Sequence, residues 1–203
     1  MTATILLIRH ASHGEAGTVL SGRRPGLALS DGGVREAERL ALRLAPIPLA
    51  ALHASPLERT RQTAGAVAAY HPGLAVETHD ALLEVDFGAW SGMTFADLAP
   101  DPGWQRWNSA RAVAETPGGE TMAAAQDRAW SHCVRAALGA PGSVLAMVSH
   151  CDVIRAVLAR VLGLSLDGLL AFEIAPASLS RIEVGEWGAR VLALNDTAHL
   201  EAA

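Results

Sequence analysis

Two short runs in this chain, Ile5-Leu6-Leu7-Ile8 and Val144-Leu145-Ala146-Met147-Val148, are apolar at every position. A strand with one wet face alternates between apolar and polar residues, whereas an unbroken apolar strand is covered on both faces. Such strands belong to parallel sheets packed between helices. The segments between them support this. "SDGGVREAERLALRLA" reads as a helix capped by Ser30, with Val34, Ala37, Leu40, Ala41 and Leu44 on one face. "LAALHAS" is a second buried strand, and "SPLERTRQTAGAVAAY" a helix with Ser55 as N-cap and Pro56 in its first turn. A shorter strand around "LAVETH" leads into the irregular "LLEVDFGAWSGMTF" and a Trp-rich stretch with one short helix. "ETMAAAQDRAWSHCVRAALG" is a long helix closed by Gly139, and the helix after "SVLAMVSH" stops at Gly163. Two final strands surround "GEWG" as a hairpin. The alternation predicts a three-layer α/β/α sandwich around a largely parallel central sheet, formed as a single domain over residues 1–203.

Composition narrows the chemistry. All sixteen basic residues are Arg, which excludes a P-loop lysine, a Schiff base and a Ser-x-x-Lys hydrolase. A net charge of −5 argues against a nucleic-acid partner, which needs a basic face. The two cysteines, Cys133 and Cys151, have no framework spacing and fit a reducing compartment. Neither is followed six residues later by the Arg of a cysteine phosphatase, since those positions are Gly139 and Val157. No run approaches a membrane span, and the start "MTATILLIRH" lacks the pattern of a signal peptide. A cytoplasmic protein with no membrane partner is expected.

In sheets of this kind ligands bind beyond the carboxyl ends of the strands. The strand ends carry a matched polar set: Arg9 and His10 after the first, Ser55 and then Arg59 after the second, Glu84 after the third, and His150 after the fourth. A neutral imidazole can attack phosphorus, guanidinium forks can neutralise phosphate oxygens, and a protonated carboxyl can protonate a leaving alcohol. Arg59 lies in the first turn of a helix, where the macrodipole disfavours a cation unless an anion binds there.

With these residues in place, the chain resembles the histidine phosphatase superfamily, also called phosphoglycerate-mutase-like. "LIRHAS", "SPLERTRQTA", "LLEVDFGAWSG", "PGGET" and "VSHCDVIRA" match its motifs in order across most of the chain. The resemblance implies a phosphatase-branch fold and a metal-independent phosphomonoesterase. His10 would be the phosphorylated nucleophile, Arg9, Arg59 and His150 the phosphate pocket, and Glu84 the proton donor. Cys151, Ser21 and Gly22 are expected as further substrate contacts. No cofactor or metal is implied, and the expected partner is a small phosphorylated metabolite bound by a monomer or homodimer.

Three departures stand out. Ala11 replaces the usual Gly and is expected to crowd the phosphate slightly. Asp152, in place of Gly, is expected to point outward at a helix N-terminus. An Asn of many mutases is replaced by Ala16 or a neighbour, which weakens the mutase alternative. A cofactor-dependent mutase and a non-catalytic phospho-ligand-binding domain stay open as other readings. Arg23 and Arg24 either bind a second substrate charge or form a solvated turn. His13, His53, His71, His79, His132 and His199 read as ordinary polar residues, with His13 the one placed to touch substrate. The Trp-rich segment 94–118 either packs or covers the site as a lid.

Overall fold

The computed structural model describes residues 1–201. In chain order the elements are β1 (Thr2–Arg9), α1 (Asp31–Leu44), β2 (Leu49–Ala54), α2 (Glu58–Ala68), β3 (Val76–Thr78), α3 (Phe95–Leu98), α4 (Pro102–Ser109), α5 (Met122–Gly139), β4 (Val144–Ser149), α6 (Cys151–Leu162), β5 (Leu179–Gly185) and β6 (Gly188–Asp196), with short 3-10 turns between. The six strands form one sheet in the order β3-β2-β4-β1-β5-β6. β1 to β4 are mutually parallel, and the terminal hairpin β5–β6 adds two antiparallel strands beside β1.

The unbroken apolar runs occupy the two central strands, and their side chains divide by parity. Ile5, Leu7, Leu145 and Met147 enter one core with α5 and α6, while Leu6, Ile8, Ala146 and Val148 enter a second with α1 and α2. The predicted three layers are therefore present. Burying each large aliphatic side chain contributes roughly 1.5–3 kcal/mol, and both sheet faces supply them.

Local details differ from expectation where tertiary contacts override the pattern. Val34 is 57% exposed, and Gly33 takes the inward place on α1. A Cβ at Gly33 would sit 1.9 Å from the Ser12 carbonyl oxygen, so only glycine permits this approach. Ser30 caps α1 as expected, accepting from the Gly33 N–H at 3.1 Å. Ser55 does not cap α2. Leu57 holds the N-cap position without a side-chain bond, and the Ser55 hydroxyl is engaged by His150. Gly139 is the last residue of α5 rather than its stop, and the left-handed turn falls at Gly142. Gly163 does end α6 in the left-handed conformation. Among the described residues, no helix is long and apolar enough to cross a membrane.

Candidate active site

The register of the central strands brings the predicted residues together. Arg9 of β1 pairs with Ser149 of β4, so the next residue of each chain, His10 and His150, emerges at the same sheet edge. Their rings stand edge to face with centroids 5.2 Å apart. One strand over, Ala54 of β2 pairs with Val148, so Ser55 leaves the sheet at the same edge, one position short of His150. Arg59 reaches in from the first turn of α2 and is buried. Its Nε donates to His10 Nε2 at 3.2 Å, and one terminal nitrogen donates to the Gly22 carbonyl at 2.8 Å and lies 3.2 Å from His150 Nδ1. His150 Nε2 is 2.9 Å from the Ser55 hydroxyl. Arg9 is anchored through a terminal nitrogen to the Ile174 carbonyl at 2.6 Å.

Two buried guanidinium N–H groups, Nε of Arg9 and one terminal nitrogen of Arg59, have no protein partner. Unpaired buried donors are costly, and guanidinium donors so placed are suited to an anion. Burial first, and then the Arg59 charge, holds both His10 and His150 well below the usual imidazole range. Both are neutral bases at physiological pH.

Glu84 lines the same cavity, which has a volume of about 280 Å³. Burial and then the charge of Asp152 push its carboxyl up to about 7, against the opposing pull of the Val85 N–H, Arg59 and Arg9. The Glu84 segment is fixed through its backbone. Arg23 Nε and an Arg128 terminal nitrogen both donate to the Glu84 carbonyl, at 2.7 and 3.2 Å, and both arginines also bond Glu120. Glu120 belongs to "PGGET", so that motif acts on Glu84 indirectly. The two segments cross so closely that a Cβ at Gly88 would lie 2.1 Å from the Pro117 carbonyl oxygen, and Gly88 itself has φ +54°.

The remaining expectations sort as follows. Ser21, Gly22 and Cys151 line the cavity, Gly22 offering its carbonyl to Arg59. The Cys151 thiol is pushed up to about 11, mainly by burial, so it stays protonated. His13 lines the cavity and its ring centroid is 5.5 Å from that of His10. Arg23 and Arg24 do not line it. Arg23 serves Glu84 and Glu120, and Arg24 pairs with Glu15 at 2.8 Å.

Two departures are corrected. The Ala11 methyl packs with Ala37 and Ala177 and does not line the cavity, because the Ala11 N–H is drawn to the Thr63 hydroxyl. Asp152 does not point outward. It lines the cavity, where Arg111 approaches it to 3.1 Å and Arg155 to 3.6 Å. Arg155 falls in the stretch "VSHCDVIRA" with no role implied for it there, and Arg111 lies in no motif, because both reach the cavity only through packing. The Trp-rich segment is a wall. Trp107 is fully buried, Trp90 and Trp104 stack edge to face at 5.5 Å, and Trp104 meets the cavity.

The profile of the histidine phosphatase superfamily (branch 1) matches residues 5–197. The chain belongs to that superfamily. A similar member is phosphoserine phosphatase 1 of Hydrogenobacter thermophilus, 32% identical over 202 residues, covering 97% of this chain and 93% of that protein. Among solved structures, Bacillus stearothermophilus YhfR is 25% identical with a TM-score of 0.92, covering 98% of this chain and 100% of YhfR. An Entamoeba histolytica phosphoserine phosphatase in complex with phosphoserine shares the fold at TM-score 0.87, with 19% identity over 98% of this chain and all of that one. Within the histidine phosphatase superfamily these relatives support a phosphatase.

Proposed function

We propose that the protein is a phosphomonoesterase acting through a phosphohistidine on His10, with a small phosphorylated metabolite as substrate. The observation that carries this reading is the neutral His10, whose Nε2 accepts from Arg59, sharing one cavity with the Glu84 carboxyl, which burial pushes up to about 7. Phosphate oxygens take the free N–H groups of Arg9 and Arg59 and also draw the Arg59 Nε–H away from His10 Nε2, which releases its lone pair. The Nε2 lone pair of His10 forms the N–P bond as the ester P–O bond breaks, and the Glu84 proton passes to the leaving oxygen. In the second step the Glu84 carboxylate takes a proton from water. The resulting hydroxide forms a P–O bond as the N–P bond breaks, which returns neutral His10 and releases orthophosphate. Each role in this scheme is filled by a side chain of the chain itself, so no metal is required for the step.

The remainder of the ester would face Trp104, Asn108, Arg111 and Asp152. Charges of both signs on that wall suit a compact polar leaving group. Similarity to phosphoserine phosphatase 1 supports phosphoserine as the first candidate to assay.

The deciding experiment is orthophosphate release from a monoester panel, including phosphoserine and 3-phosphoglycerate, with EDTA present. Wild type is expected to turn over at least one member and His10→Ala none. Phosphate transfer between phosphoglycerates without net hydrolysis would favour the mutase reading, and tight binding without release the binding domain.

A further inference from the structure

Away from the phosphate pocket, three histidines from three elements meet. His53 lies on β2, His79 follows β3 directly, and His132 lies on α5. The parallel register pairs His53 with Glu77, and His79 stands two residues further on, so all three project from the same side of the sheet edge. His132 lies on the buried side of α5 and packs over them. The ring centroids are 4.4–5.0 Å apart, and one ligating atom from each residue lies within 4.8 Å of the others. None of the three lines the phosphate cavity.

A merely structural cluster would satisfy its nitrogens, and this one does so poorly. His53 Nδ1 and His132 Nε2 share one hydrogen bond at 3.0 Å, while His79 Nε2 is buried with no hydrogen-bond partner. Glu77 stands beside the group, its Oε2 3.6 Å from His79 Nε2 and 4.0 Å from His53 Nε2. That carboxylate is 62% exposed and free to swing inward. On α5, Arg128 lies one turn before His132 and is held by Glu120 and the Ala81 carbonyl, and the exposed Arg135 lies one turn after it.

We propose that His53, His79 and His132, with Glu77 as fourth ligand, form a binding site for a divalent transition-metal ion, zinc first. Three imidazoles and a carboxylate suit borderline metals of this kind. A tetrahedral zinc site needs ligand atoms roughly 3.3 Å apart, which small side-chain rotations supply. The ion would tie β2 and the short edge strand β3 to α5, just before the chain turns towards Glu84. The role is structural and separate from the phosphoryl-transfer chemistry.

The test is calorimetric titration of chelator-stripped full-length protein with zinc sulfate, alongside the visible spectrum of the cobalt-loaded protein. One saturable ion per chain, a tetrahedral cobalt spectrum and a raised Tm are expected in wild type and equally in His10→Ala. His79→Gln, at a partly exposed position that leaves the core untouched, is expected to weaken affinity roughly 100-fold, as is Glu77→Gln to a smaller degree. Absence of saturable binding in wild type overturns the proposal. So does binding that survives His79→Gln and disappears in His10→Ala, which would place the ion in the phosphate pocket. Circular dichroism of His79→Gln confirms that any loss is not unfolding.

Discussion

Arg59 Nε donates to His10 Nε2 at 3.2 Å, and the Ala11 carbonyl accepts from His10 Nδ1 at 2.8 Å. An arginine nitrogen only donates and a carbonyl oxygen only accepts, so the two contacts together fix the tautomer. The proton is on Nδ1, and the lone pair of Nε2, at the cavity, accepts the Arg59 N–H. In the proposed reaction Arg59 thereby orients His10 and also supplies donors to the phosphate.

Lysine at position 59 tests that double role. It retains the charge but cannot reach His10, the Gly22 carbonyl and His150 at once. Arg59→Lys is expected to lower kcat by about 10²–10³-fold with a smaller change in KM. A near-normal kcat in steady-state kinetics would show that charge alone suffices.

The raised carboxyl of Glu84 sets a pH dependence. In the proposed role of acid it must be protonated, so kcat/KM is expected to fall as pH rises through about 7. His10 and His150, depressed far below 6.5, stay neutral well into the acid range and impose no limb near neutrality. The same shift acts on stability. A carboxyl whose folded pKa lies above its unfolded value of about 4.5 favours the folded state fully below 4.5, and this advantage is lost as pH rises to 7. Glu84→Gln is therefore expected to lose roughly 10²–10⁴-fold in turnover. Its Tm at pH 8 should exceed that of wild type, and thermal melts at pH 5 and pH 8 check the sign.

Asp152 tunes Glu84 through space. Its charge is the largest raising contribution after burial. Asp152→Asn removes that charge and frees Arg111 and Arg155, and both changes favour ionised Glu84. The alkaline limb of the pH profile should move below 7. An unmoved limb would mean that Asp152 is screened by its two arginines.

The crossing at Gly88 predicts a stability cost without contact to substrate. Alanine there would have to hold a left-handed conformation and displace the Pro117 carbonyl. Gly88→Ala is expected to destabilise by about 1–3 kcal/mol, lowering Tm by roughly 2–4 °C for each kcal/mol. Because Glu84 hangs on the same crossing, its pH limb should broaden or shift as well.

Much of the site was legible before the fold was known. Arg9, His10 and His150 sit at strand ends that their own apolar runs announce, and parallel sheets gather such ends at one edge, while Arg59 and Glu84 lie further past theirs and are marked by the family motifs. The layers followed from the same runs, since a strand apolar on both faces requires cover on both. Those are local properties, and the linear chain carries them.

Only the tertiary structure decided the rest. Val34 and Gly33 exchanged places because the Ser12 carbonyl approaches α1, and Ser55 left the cap of α2 because His150 arrives from a distant strand. Asp152 turned inward because Arg111 and Arg155 lie beside it. His53, His79 and His132, separated by 26 and 53 residues, became neighbours through strand register and the packing of α5. Each depends on atoms far apart in sequence, whose meeting is set by packing and hydrogen bonding rather than by any local pattern.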